Sequence, residues 1–129
     1  MIYLIQGFFF QKSTALNIDP YEEKVTISEV TIRSMFSGII GPDEKAPENE
    51  TWVGTMMDRY GIARLNSVVF GMEHFAFVKV YEGRKDSIMY RFKKDRNGFY
   101  QGTFEGEEVE SGEARCVLTT VPDDFLELK

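Results

Sequence analysis

Between Thr51 and Phe92 the chain repeats one arrangement, a short segment of alternating apolar and polar side chains followed by a polar turn. The segments are TWVGTMM (Thr51–Met57), IARLNSVVF (Ile62–Phe70), FAFVKVY (Phe75–Tyr81) and SIMYRF (Ser87–Phe92). The joints DRYG, GMEH and EGRKD carry the glycines and charges that turns favour. A two-residue period bounded by turn signals predicts strands, and four in succession predict a β-meander.

The flanking segments extend this reading. MIYLIQGFFF predicts a strand over Ile2–Phe10 with a bend at Gly7. Successive side chains of a strand point to opposite faces, so Phe8, Phe9 and Phe10 put aromatic surface on both. One face lines a core; the other needs cover from another segment or another subunit. Residues 13–23 (STALNIDPYEE) read as a loop with a turn at Asp19-Pro20. KVTISEVTIRSMF (Lys24–Phe36) alternates, but Val25 and Ile27 have odd parity whereas Val30, Ile32 and Phe36 have even parity. A single buried face then requires a bulge near Ser28-Glu29 or a break into two strands.

Gly41–Glu50 (GPDEKAPENE) reads as an exposed loop. Asn97-Gly98 marks a hairpin into a strand over Phe99–Phe104, EGEEVESG a polar loop, and Glu113–Thr120 the last strand. Pro122 ends that ladder, and Phe125, Leu126 and Leu128 suggest a tail folded over the body or onto a partner. The expected architecture is all-β: one domain over residues 1–129, an eight-stranded antiparallel up-and-down barrel in meander order.

Closure has its own signature. An aromatic two residues before a glycine recurs at Trp52/Gly54 and Tyr100/Gly102, each followed by a Gly-x-Ala-Arg run ending in Arg64 or Arg115, and again at Phe36/Gly38, Tyr81/Gly83 and Phe104/Gly106. Glycine permits the sharp coiling of a small barrel, and a nearby ring covers the backbone it exposes. The W-x-G strand of TWVGT, the strand Phe77-Val78-Lys79-Val80-Tyr81 and the later Y-x-G-T strand resemble the calycin group of small barrels, in particular the avidin-like and lipocalin-like ones. That resemblance implies a small, largely apolar ligand bound at one mouth. The biotin-binding Trp, Ser and Tyr set, the N-terminal G-x-W of lipocalins and the Arg-x-Tyr pair of fatty-acid-binding barrels have no counterpart here, so no specific ligand is implied.

Composition narrows the function. Apolar residues are 43% and aromatics 14% of 129 residues, enough for a packed interior. A net charge of −6 excludes a phosphate-tracking surface and with it nucleic acid, since such binders need clustered cations; Asp95 interrupts the Lys93, Lys94, Arg96 group. The apolar start ends at Gln11-Lys12, short of a membrane span, and has no basic leader. A lone Cys116 in an apolar run fits a reducing, cytoplasmic setting. His74 stands alone and the acidic run from Glu105 to Glu113 lacks calcium-loop spacing, so neither metal nor cofactor is expected. Nothing distinguishes a catalytic set.

The candidate binding residues are Trp52, Arg64, Phe77, Lys79, Tyr81, Tyr90 and Arg115. If the Phe75, Phe77, Lys79, Tyr81 face points inward, Lys79, Tyr81 and Tyr90 are the convergent polar groups that orient a ligand in an apolar pocket. The competing reading sends Lys79 to solvent with its stem across rim aromatics. Arg64 and Arg115 grip an anion if internal and pair with surface carboxylates if external. Trp52 stacks on a ligand or fills a floor. Two functions follow: non-catalytic binding of a small apolar or weakly anionic ligand, or a filled barrel serving protein–protein interaction or self-assembly through Phe8, Phe9, Phe10 and the C-terminal tail. A small-molecule enzyme is a third.

Overall fold

The computed structural model describes residues 2–45, 51–109 and 111–122. Its eight strands are β1 (Ile2–Asp19), β2 (Lys24–Pro42), β3 (Trp52–Asp58), β4 (Gly61–Phe70), β5 (His74–Tyr81), β6 (Ile88–Lys94), β7 (Tyr100–Gly106) and β8 (Gly112–Val121). Each pairs antiparallel with the next, and β1 returns to β8 from Ile2↔Val121 to Phe10↔Glu113, which closes the sheet into an up-and-down barrel. Closure removes the barrel's free edges, and eight strands enclose a lumen that side chains can fill. The six strands expected from Thr51 onward form with ends within one or two residues of the anticipated ones.

Glycine permits the tight coiling. A Cβ on Gly102 would sit 1.8 Å from the Arg91 carbonyl oxygen, and one on Gly7 would sit 2.0 Å from that of Arg115, so no other residue fits either place without moving the neighbouring strand.

Two expectations fail at the N-terminal end. The presumed loop over residues 13–23 is mostly strand, because β1 runs on to Asp19 and only the turn 20–23 lies outside a ladder. Nor is there a bulge near Ser28-Glu29: the β1–β2 register is unbroken from Tyr3↔Ile40 to Asp19↔Lys24. The parity slip has a different cause. Beyond Phe10 on β1 and before Phe36 on β2, the two strands pair only with each other and leave the barrel as a ribbon. Within the barrel the apolar side faces the lumen, whereas at the ribbon's far end it faces the other way.

The lumen holds a continuous core that includes Ile5, Phe9, Phe36, Ile40, Met56, Leu65, Phe75, Phe77, Tyr90, Phe92 and Phe104, all at most 3% exposed. Burying each such side chain contributes roughly 1.5–3 kcal/mol. Rings of cross-strand partners stack on one another: Phe75 on Phe92 at 4.9 Å, Phe77 on Tyr90 at 5.2 Å and Tyr90 on Phe104 at 5.5 Å between centroids.

Candidate functional site

One end of the barrel is plugged by aromatics. Trp52 stacks on Phe70 at 4.9 Å and Tyr3 lies 4.5 Å from Phe70, while the Tyr100 hydroxyl donates to the Met72 carbonyl at 2.5 Å and ties the turn 71–73 across the opening. Trp52 is therefore a floor residue in this arrangement, its ring engaged by its own chain.

The other end, where the ribbon departs, carries the polar cluster. Alternation along β5 sends Phe75, Phe77, Lys79 and Tyr81 inward, and the Phe77↔Tyr90 register brings Tyr90 of β6 beside them. Asp58, at the end of β3, completes the group. Lys79 Nζ donates to Asp58 Oδ2 at 2.6 Å and to the Tyr90 hydroxyl at 3.1 Å. The Tyr81 hydroxyl donates to the same Asp58 oxygen at 2.5 Å, and the Tyr60 backbone N–H to Asp58 Oδ1 at 2.8 Å. Around the ammonium stand the rings of Tyr81, Tyr90 and Phe9, with centroids 4.6, 5.0 and 5.2 Å away. Such faces attract a cation.

Neither the Lys79 nor the Asp58 side chain has exposed surface. Burial lowers the Lys79 pKa although Asp58 opposes it, and burial raises those of Tyr81 and Tyr90, helped by the Asp58 charge. The ammonium spends two protons on protein acceptors and presses the rest of its charge on rings. It fills the position that a bound cation would occupy in an open cage.

A hollow of about 220 Å³ remains at this mouth, between Phe9, Tyr60, Tyr81, Arg84, Ile88 and Phe104. That is below the roughly 300–1,000 Å³ usual for small-molecule pockets. Tyr60 leans over it, 6.2 Å from Phe9 and 6.5 Å from Tyr81, with its hydroxyl donating to Gln11 Oε1 at 3.2 Å.

Of the seven candidate residues, the structure gathers Phe77, Lys79, Tyr81 and Tyr90 and leaves the other three apart. Trp52 lies at the opposite plug. Arg64 and Arg115 are exposed on the outer wall and do not face the lumen, Arg115 lying 5.9 Å from the Phe10 ring. Their positions in β4 and β8 share a parity with neighbouring exposed residues, so the echo in sequence is an echo of outward positions. Asp58 was missed because it sits in what reads as a turn, DRYG, where an aspartate ordinarily caps a backbone N–H; it does that too, through Oδ1.

The second feature is the ribbon. Its outer face carries, in cross-strand pairs from root to tip, Phe8/Met35, Phe10/Arg33, Lys12/Thr31, Thr14/Glu29, Leu16/Ile27 and Ile18/Val25. At the tip Leu16, Ile18, Val25 and Ile27 are 66, 68, 55 and 71% exposed. Asp19 Oδ1 accepts the backbone N–H groups of Tyr21 and Glu22 and orders the turn. At the root a groove of about 420 Å³ is lined by Gly7, Phe8, Met35, Met57, Arg115 and Val117, among others. Of the three consecutive phenylalanines, Phe9 is in the core, Phe8 is exposed and Phe10 lies half-buried between the guanidiniums of Arg33 and Arg115. The tail residues Phe125, Leu126 and Leu128 lie outside the described residues.

Comparison with protein families, with curated proteins and with solved structures matches none of them to this chain.

Proposed function

We propose that this protein is an interaction module: a filled barrel that holds a β-ribbon clear of its body and docks a protein partner through the ribbon's apolar tip. The observation that carries this reading is the change of apolar face between barrel and ribbon. A two-stranded ribbon is marginally stable alone in water, and uncovered aliphatics on it cost solubility without helping the fold. Leu16, Ile18, Val25 and Ile27 stand on the face that points away from the barrel interior, where none of the described residues covers them.

The calycin-like reading, a small apolar or weakly anionic ligand in the lumen, draws less support. The eight-stranded meander is the architecture such barrels use, but here the protein's own Lys79, aromatic column and Trp52 plug occupy the volume a ligand would need. The mouth beneath Tyr60 and Arg84 is the place left for a small guest.

A photo-crosslinking amino acid placed at Ile18 on the ribbon, and separately at Thr103 on the barrel wall, tests the reading in the cells that make the protein. Discrete adducts from Ile18 and none from Thr103 are expected. Equal yields from both positions, or none from Ile18, contradict it.

A further inference from the structure

The ribbon carries both halves of a contact on one face. Its tip pairs Leu16/Ile27 and Ile18/Val25 form an aliphatic tile, its root pair Phe8/Met35 lines the 420 Å³ groove with Phe10/Arg33 next along the strands, and a polar belt of Lys12/Thr31 and Thr14/Glu29 separates tile from root. From the Phe8/Met35 pair to the Ile18/Val25 pair is ten residues, about 33 Å of strand. The belt lies midway.

We infer that two copies of this chain dimerise through these faces, the ribbons antiparallel about a two-fold axis that crosses the belt. This rests on the reading of the ribbon as the docking element and names its partner. Rotation about that axis lays Ile18 and Val25 of each copy over Phe8 and Met35 of the other, and Leu16 over Phe10. The tip turn then runs along the wall towards Gln6 and Ser37, which also line the groove. Sheets packed face to face stand about 10 Å apart, so the side chains of tile and groove interdigitate. A two-fold contact must be self-complementary, and this face is.

Charge fits the same operation. Within one chain Lys12 Nζ lies 3.3 Å from Glu29 Oε1, both side chains largely exposed. The axis brings Lys12 of each copy level with Glu29 of the other and closes an alternating ring of four charges. A parallel arrangement would instead set Lys12 beside Lys12 and Glu29 beside Glu29. The contact face continues the outer wall, where Leu4, Gln6 and Phe8 are exposed and Ile5 and Phe9 buried, so each barrel's interior lies behind its own contact face.

Sedimentation equilibrium on the purified full chain should give twice the 14.9 kDa chain mass. Ile18→Asp should weaken the dimer at least tenfold, and so should Lys12→Glu, whereas Lys12→Glu with Glu29→Lys should restore it, because exchanging the charges keeps the face self-complementary. All three positions are exposed, so circular dichroism should show an intact barrel in each variant. A bismaleimide spanning about 8 Å should join Val25→Cys chains to Met35→Cys chains when the two variants are mixed, and should join neither variant to itself. Val25-to-Val25 links, a dimer indifferent to Ile18→Asp, or a chain that stays monomeric at 100 μM overturns the inference. A monomer whose Ile18 position still crosslinks other proteins in cells defeats the dimer and leaves the docking reading standing; a monomer with no such adducts defeats both.

Discussion

Lys79 Nζ and Asp58 Oδ2 are 2.6 Å apart inside the barrel, and neither side chain reaches solvent. A buried pair of this kind contributes little net stability against an apolar replacement, because desolvating two charges offsets most of their attraction. Its effect is on what the lumen can do. The pair ties β3 to β5 through side chains, engages the hydroxyls of Tyr81 and Tyr90, and places a cation where an empty cage would invite a guest.

Removing one partner should therefore hurt far more than removing both. Lys79→Met or Asp58→Asn should each cost about 3–5 kcal/mol in urea unfolding, since an unmatched charge or an orphaned donor stays buried. The double variant Lys79→Met/Asp58→Asn should cost less than the sum of the two. Additive losses in the double-mutant cycle would mean that the two groups do not act as a pair.

Alkaline pH should unfold the protein progressively. Burial pushes the Cys116 thiol up to about 12 from 9.0, and raises Tyr81 and Tyr90 above 10.0, so all three keep protons in the fold that the unfolded chain releases. The stability they contribute is complete below about pH 9 and is lost as pH rises towards their folded values, by up to about 1.4 kcal/mol per unit for each group. Lys79 works in the opposite sense: its lowered value means that its deprotonation below 10.5 favours the fold, and it is one group against three. Urea midpoints should fall from pH 9 to 11, and less steeply in Tyr90→Phe. A flat profile would contradict the burial of these groups.

Gly102→Ala should be among the most damaging single substitutions. Its methyl group meets the Arg91 carbonyl oxygen of the adjacent strand, which is backbone and cannot rotate away, so a cost of roughly 3 kcal/mol or more is expected. Gly83→Ala, where nothing lies within 4 Å of the added carbon, carries only the strain of its φ of +79°. Thermal unfolding of the two variants should differ by several degrees, and equal losses would count against closure through close strand approach.

The barrel was legible because each of its strands from Thr51 onward obeys one rule, apolar residues on one parity and turn residues between. The ribbon was not, because the same rule presumes that a strand's apolar side faces its own core. Residues 13–19 have large apolar side chains only at Leu16 and Ile18, among small and polar neighbours, which reads as loop, and Val25 and Ile27 read as a register error. Both signals come from one cause, a face turned outward. The inward course of Phe77, Lys79, Tyr81 and Tyr90 followed from parity once the barrel closed. Parity also places Arg64 and Arg115 outside, the external of the two alternatives open for them, and their shared Gly-x-Ala-Arg motif carries no information on facing. The part Asp58 plays needs three dimensions, because Lys79 and Tyr81 lie twenty-one and twenty-three positions further along the chain.

Association through the ribbon, with no part for the lumen, is tested most directly by deletion. Residues 11–32 can be replaced by an Asn-Gly turn, since Phe10 and Arg33 are cross-strand partners and that dipeptide closes a two-residue hairpin. Size-exclusion chromatography of the full and the shortened chain, purified and in gentle extracts of the native cells, then reads the outcome. The shortened chain is predicted to keep its β-sheet circular dichroism and to elute as a free barrel in both settings, while the full chain elutes as a larger species. A shortened chain that elutes with the same excess size as the full one would place association elsewhere and contradict the account.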